Sequence, residues 1–330
     1  MSSILRSMLQ ALPLLVLPAL ASAAEFKVLV VMSYEQDNPW VREIREGIDS
    51  VLGASSEITY AYLDTKVDRA GGPAKARLTH ELYQRLKPQG VIAADDDAQT
   101  MFVVPFLKDK VATPVMFAGV NAAPGDHGYP AGNVSGMLER AHVRESLAFA
   151  RQLLPSIRRA CFMTNHVPSG LALRSQVEEE KASYPAHVQA FHMVRAQSEI
   201  VALGKSLRAD CDTVFIDSLE GITDEAGKPM NNAEVLRVLA GAYAGPVLGG
   251  NRYQVEQGAW AAVVKSGQEQ GDASAEMLLQ AMRGVPVATI PIVRNSKGQR
   301  VINVTALEAH GIAPRPIVLR GASLVRQQPD

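Results

Sequence analysis

Short apolar runs alternate with amphipathic helical stretches along most of this chain, and that alternation restricts the fold more than any other feature. Phe26-Lys27-Val28-Leu29-Val30-Val31-Met32 is brief and β-branched. Val41, Ile44, Ile48, Val51 and Leu52 then recur at helical spacing between Trp40 and Leu52. Ile58 to Leu63 reads as a second strand and Thr79 to Leu86 as a helix ending before Pro88. Gly90 to Ala94 and Pro114 to Ala118 read as third and fourth strands, with a helix beginning after Asp95-Asp96-Asp97. Strands separated by helices imply βαβ crossovers and a parallel sheet covered on both faces.

The pattern then restarts. Asn133 to Met137 is a short strand followed by the helix Arg144 to Leu154, and Arg159 to Met163 opens a second βα series. Its later strands are Val188 to Val194, Thr213 to Ile216 and Pro246 to Leu248, with helices near 171–183, 199–207 and 232–242. Two series of similar size predict an α/β fold of two doubly wound parallel-sheet lobes. The remaining strand Trp260 to Val264, helix Gln268 to Met282 and strand Val287 to Val293 are too few to bury a core of their own. They are expected to complete the existing lobes through a multi-strand hinge. The N-terminal lobe is then 24–122 plus about 266–286, and the C-terminal lobe about 133–260 plus about 294–330. Crossings are expected near 122–133, 260–266 and 286–294.

Ahead of this pattern, Arg6 precedes an apolar run from Met8 to Leu20 and then Ala21-Ser22-Ala23. This is the layout of a cleavable signal peptide over 1–23, and Pro13 and Pro18 argue against a buried helix. No cysteine sits at the cleavage point, so the expected location is the periplasm, without a lipid anchor. With 33 Lys and Arg against 34 Asp and Glu, the chain lacks the cationic excess of a nucleic-acid binder. Two cysteines are too few for a disulfide scaffold or a cysteine zinc module.

Ligands in open parallel sheets bind beyond the carboxyl ends of the strands. In the first lobe this selects Ser33, Tyr34, Glu35, Asn38 and Trp40, then Asp64 and Thr65, then Asp95 to Asp97, then Gly119, Val120 and Asn121. In the second it selects Thr164, Asn165 and His166, then Asp217 and Ser218, then Gly250, Asn251 and Arg252. Tyr34 and Trp40 flank one loop and offer a platform for a ring. Asp95 to Asp97 precede a helix, where an acidic residue also serves as a cap. Asp217 is the C-lobe carboxylate singled out for ligand contact. Nucleotide-binding glycine motifs, a nucleophile elbow and H-E-x-x-H are all missing, and the seven histidines show no metal-ligand spacing. Neither catalytic residues, nor a metal, nor a cofactor is expected.

Cys161 and Cys211 open neighbouring strands if the second lobe has flavodoxin-like order. Export permits a disulfide, but two reduced core cysteines are the expectation, because strand cysteines are commonly just buried.

Val28 to Tyr34 with Pro39-Trp40, Tyr62-Leu63-Asp64-Thr65-Lys66, Asp96-Asp97-Ala98, Pro114 to Asn121 and Gly132 to Glu139 together resemble periplasmic solute-binding proteins of the type I fold. The branch is the one described as an uncharacterised ABC-transport periplasmic component. The similarity runs on through Gly258 to Gly284 and Asn303 to Leu307. It implies two lobes closing on a small-molecule ligand, with an ABC permease or a membrane sensor kinase as partner. Relatives binding amino acids, some aromatic, would suit Tyr34 and Trp40. Carried onto this chain, the ligand-side positions are Ser33, Tyr34, Trp40, Asp64, Asp97, Asn121, Asp217 and Asn251, to which the strand-end reading adds Thr164. The expected ligand is an amino acid, an amine or a sugar-like solute, bound by a monomer. The alternatives are a periplasmic sensor acting with a histidine kinase or cyclase, and an exported enzyme using the cleft carboxylates.

Overall fold

A computed structural model describes residues 24–219 and 221–326, so the expected signal peptide over 1–23 lies outside the described residues. The first sheet contains β1 (Phe26–Met32), β2 (Ser56–Tyr62), β3 (Gly90–Ala94), β4 (Val115–Val120) and β5 (Val134–Leu138). All are parallel, in the spatial order 2-1-3-4-5. Its helices are α1 (Pro39–Leu52), α2 (Gly72–Leu86) and the short α3 (Asp95–Ala98), which continues as π-helical turns over Gln99–Leu107. Because helices cover both faces, β1, β3 and β4 are near-continuously apolar and buried.

The second sheet is built from β6 (Arg159–Asn165), β7 (His187–Val194), β8 (Thr213–Ile216), β9 (Val247–Gly249) and β10 (Ala261–Val264), parallel and in the equivalent order 7-6-8-9-10. The helices α4 (Val143–Leu153), α5 (Pro168–Glu180), α6 (Gln197–Asp210), α7 (Asn232–Tyr243) and α8 (Arg252–Glu256) accompany it. Then α9 (Gly267–Met282) returns to the first sheet and packs against α1. The approach is backbone to backbone: a Cβ on Gly271 would fall 2.1 Å from the Ile44 carbonyl oxygen, and one on Gly47 2.3 Å from that of Gln268. The short β11 (Val293–Arg294) joins the edge of the first sheet beside β5. The chain then crosses back, and β12 (Gln299–Asn303) pairs antiparallel to β10 with β13 (Ser323–Val325) beyond it.

The sheet pairing corrects two expectations. The strand read over 133–137 as the start of the second lobe pairs with β4, with Val115 opposite Val134, so it belongs to the first sheet. Only a 3₁₀ turn at Pro124–His127 links β4 to β5, and without a helical repeat between them the restart looked like a lobe boundary. The first crossing therefore follows Leu138 rather than lying near 122–133. Likewise the strand expected over 287–293 is a 3₁₀ turn at Val287–Thr289 and the two-residue β11, which pairs with Met137 and Leu138.

The cysteines are also corrected. β6 and β8 are neighbours, with Cys161 opposite Val214, and Cys211 just precedes β8. This brings the two Cα atoms to 5.7 Å, and the sulfurs are bonded.

The crossings are tied to one another. Asn295 accepts from the Arg140 backbone N–H at 2.7 Å and donates to the Arg140 carbonyl at 3.0 Å. Glu269, in the first turn of α9, accepts from the N–H groups of Ser296 and Lys297 at 2.8 and 3.0 Å. Among the described residues, no helix is long and apolar enough to cross a membrane.

Candidate functional site

The carboxyl ends of both sheets converge on one narrow cleft, which leaves room for about one water molecule and is lined from both sides by polar groups. Asn121, Glu139 and Arg140 come from the first sheet's loops, while Asp217 and Lys265 come from the ends of β8 and β10. Glu139 follows β5 and Lys265 follows β10, so their ion pair joins the two sheets across the cleft floor. Both side chains are almost buried, at 6% and 9% exposure. Burial pushes the Glu139 carboxyl up, partly countered by Lys265. Burial alone would lower the Lys265 ammonium, but Glu139 and Asp217 more than offset it and hold it above the usual lysine range.

Next to this pair stands Asp95, the first residue beyond β3. Its φ of +66° is rare for a residue with a side chain. Oδ1 accepts from Trp40 Nε1 at 3.0 Å, and Oδ2 is buried with no hydrogen-bond partner among the described residues, in a residue only 1% exposed. Gly119, itself at φ +67°, makes this possible. A Cβ there would stand 2.9 Å from Asp95 Oδ1 and 3.6 Å from Glu139 Oε2, so only glycine lets both carboxylates crowd the end of β4. Desolvation and then the Glu139 charge push the Asp95 carboxyl well above its usual range. Tyr34 is raised in the same way, by burial and then by Asp95 and Glu139. The Lys66 ammonium sits over the Tyr34 ring, 4.9 Å from its centroid.

The second lobe repeats the device. A Cβ on Gly250 would be 3.0 Å from Asp217 Oδ1, and that oxygen accepts from Asn251 Nδ2 at 2.8 Å. Gln254 fixes the loop by donating to the Asp217 carbonyl and accepting from the N–H groups of Gly250 and Asn251.

The structure brings five of the sequence-selected residues to this region: Tyr34 and Trp40 around Asp95, Asn121 on the cleft wall, and Asp217 with Asn251 opposite. The loop carrying Asn121 is pinned by Asp96, whose carboxylate accepts from the N–H groups of Asn121 and Ala122. The other four are engaged elsewhere. Ser33 is fully buried and braces the end of β1 to α3, donating to the Ala94 carbonyl and accepting from the Ala98 N–H. Asp64 pairs with Lys75 and Asp97 with Arg69, each at 2.8 Å. Thr164 donates to the Ser218 carbonyl. Within the acidic triplet, then, it is Asp95 rather than Asp97 that faces Glu139.

Glu139, Lys265 and Arg140 were not selected from the sequence. The signal for the first two was present, because each immediately follows an apolar strand, the same rule that selected Asp217. Lys265 falls in the crossing expected over 260–266, and Glu139 follows the strand expected to open the second lobe.

A family model described as "ABC transporter substrate binding protein" matches residues 95–325. No curated protein sequence matches this one significantly. Among solved structures, the ABC domain from Streptococcus pneumoniae in complex with L-Trp is 20% identical with a TM-score of 0.66, covering 92% of this chain and 100% of its own. A ligand-free, open substrate-binding protein with adhesive properties from Clostridium difficile is 17% identical with a TM-score of 0.71, covering 92% and 100%. A conserved domain protein from Vibrio cholerae is 18% identical with a TM-score of 0.64, covering 91% and 99%. These likenesses establish the architecture as the type I periplasmic binding protein fold.

Proposed function

Because the chain belongs to the family of ABC transporter substrate-binding proteins, we propose that it captures one small solute between its lobes in the periplasm and delivers it to an ABC permease. The family is one of binding proteins rather than enzymes. The observation that carries this reading is the convergence of strand ends from both sheets on a polar cleft bridged by the buried Glu139–Lys265 pair. Such a site is completed only when both lobes contribute, so binding and lobe position are coupled. The crossings after β5, β10 and β11 are few and mutually bonded, which suits a hinge. The likeness to one neighbour in complex with L-Trp and to another in an open, ligand-free form supports a cleft that opens and closes on a solute.

A solute bound only by the folded protein raises its stability by mass action, by about 2.7 kcal/mol when present at a hundredfold excess over Kd. Thermal melts of the mature chain against amino acids, amines, sugars and nucleosides are therefore expected to show at least one class raising Tm by several degrees, with the increase growing with concentration. A panel in which no class moves Tm contradicts solute capture.

A further inference from the structure

We infer that His142 is a proton-operated positioning residue of the hinge: neutral, its ring locks the first crossing to the third through Asn295, and protonated, it releases them. The consequence for capture rests on the reading that the lobes close on a solute, whereas the lock itself needs none. His142 stands where the first crossing enters α4, and Asn295 lies on the third crossing just after β11; both are buried. The Asn295 amide has one orientation open to it. Its Oδ1 accepts from the Arg140 N–H and its Nδ2 donates to the Arg140 carbonyl, so exchanging oxygen and nitrogen would set donor against donor and acceptor against acceptor. That same Nδ2 lies 3.1 Å from His142 Nε2. An amide nitrogen only donates, so Nε2 is the accepting nitrogen and the ring proton resides on Nδ1. Nδ1 in turn faces Glu145 Oε2 at 3.8 Å.

A second ring proton breaks this arrangement. Both nitrogens of an imidazolium donate, so Nε2–H would oppose the Asn295 amide hydrogens at a buried contact, where an unmet donor is costly. Turning the amide is no remedy, because it forfeits both bonds to Arg140. Gly298, further along the third crossing, borders the ring as well, and a Cβ there would stand 3.4 Å from His142 Cδ2. The relief left is to part the crossings, which Asn295 also ties through its own N–H to the Leu138 carbonyl at 3.3 Å. Glu139 and Arg140 of the cleft wall belong to the stretch so held. The charged groups on the elements packed around the ring are Glu145 on α4, Lys297 beside Gly298, Arg300 on β12 over the Phe149 ring, and Glu269 on α9. Glu269 is occupied by the Ser296 and Lys297 N–H groups, and Glu145 is the carboxylate within ion-pair distance of the ring among the described residues. Histidine is the side chain that exchanges its charge between pH 5 and 8. The lock is therefore complete at the upper end of that range and lost as pH falls.

Hydrogen–deuterium exchange of the mature chain, with no solute added, tests this at the Arg140 and Asn295 amides once the intrinsic pH dependence of exchange is divided out. Between pH 7.5 and pH 5.0, protection at both is expected to fall by about tenfold or more, while the amides of β1 and β6 keep theirs. His142→Gln can present an amide oxygen to Asn295 but does not titrate, and should change by less than about twofold over the same range. If that variant does not fold, the ring of the unaltered chain decides. Its nitrogen-15 spectrum at pH 7.5 should show His142 carrying its proton on Nδ1. A proton on Nε2, unchanged protection at both amides, or the same loss in His142→Gln overturns the assignment. So does a loss shared equally by β1 and β6, which would be global acid unfolding. None of these outcomes bears on solute capture, which the thermal panel tests by itself.

Discussion

Replacing Lys265 with methionine is expected to destabilise the protein by about 3–5 kcal/mol at neutral pH, the usual cost of removing one member of a buried ion pair. The reason is what stays behind. Glu139 remains at the cleft floor, almost unexposed, near Asp95 and Asp217 and without its counter-charge. Its carboxyl is already raised in the folded protein, and loss of Lys265 removes the groups that hold it down. A carboxyl raised on folding supplies stability below its unfolded value and loses it as pH rises through the folded value. The deficit of Lys265→Met should therefore be small near pH 4 and grow toward pH 8. Adding Glu139→Gln, which cannot ionise, should restore much of the loss at pH 8. Urea midpoints of the two single variants and the double variant across pH 4 to 8 check this. A deficit independent of pH, or a double variant no better than Lys265→Met, contradicts a charge-based cause.

The second large effect is expected at the disulfide. Joining residues 50 apart in sequence removes loop-closure entropy from the unfolded chain, worth about 4 kcal/mol on the chain-entropy model. The bridge ties the first and third strands of the second lobe, so its loss falls on the sheet that positions Asp217 and Lys265. The Cys161→Ala/Cys211→Ala variant, and the reduced wild-type chain, should each unfold at markedly lower urea concentration than the oxidised chain. Thiol titration of denatured, unreduced protein should find none free. Two free thiols, or equal urea midpoints with and without reductant, contradict the bridge.

How far the molecule could be read from its residues depended on which signals are local. Buried parallel strands such as Val28–Met32 and Gly90–Ala94 are near-continuous apolar runs, and α1 shows its buried face through Val41, Ile44 and Ile48. Both periods are short-range, so the α/β class and the two sheets were legible. Membership of β5 was not, because it is decided by pairing with β4 across a turn that carries no periodic signal. The cysteine pairing depended in the same way on strand adjacency. For the site, the strand-end rule found Tyr34, Trp40, Asn121, Asp217 and Asn251, which stand on loops directly after strands. It could not rank Asp95 above Asp97, since the two differ only in where the helical turn points them: Asp97 toward Arg69, Asp95 toward Trp40 and Glu139. Glu139 and Lys265 are distant in sequence, and their pairing exists only once two sheets share a cleft.

The chain contains two tryptophans, and they report on different places. Trp40 donates to Asp95, which stands beside Glu139 of the pair bridging the lobes, while Trp260 packs on His310 in the second lobe, with ring centroids 4.4 Å apart. Emission from Trp40 in a Trp260→Phe background, titrated with a solute that raises Tm, therefore tests most directly that this cleft is the capture site. The expected result is a saturable change with one solute per chain and the same affinity as calorimetry gives. A solute that raises Tm and binds by calorimetry while leaving Trp40 emission unchanged would place the site elsewhere and contradict the account.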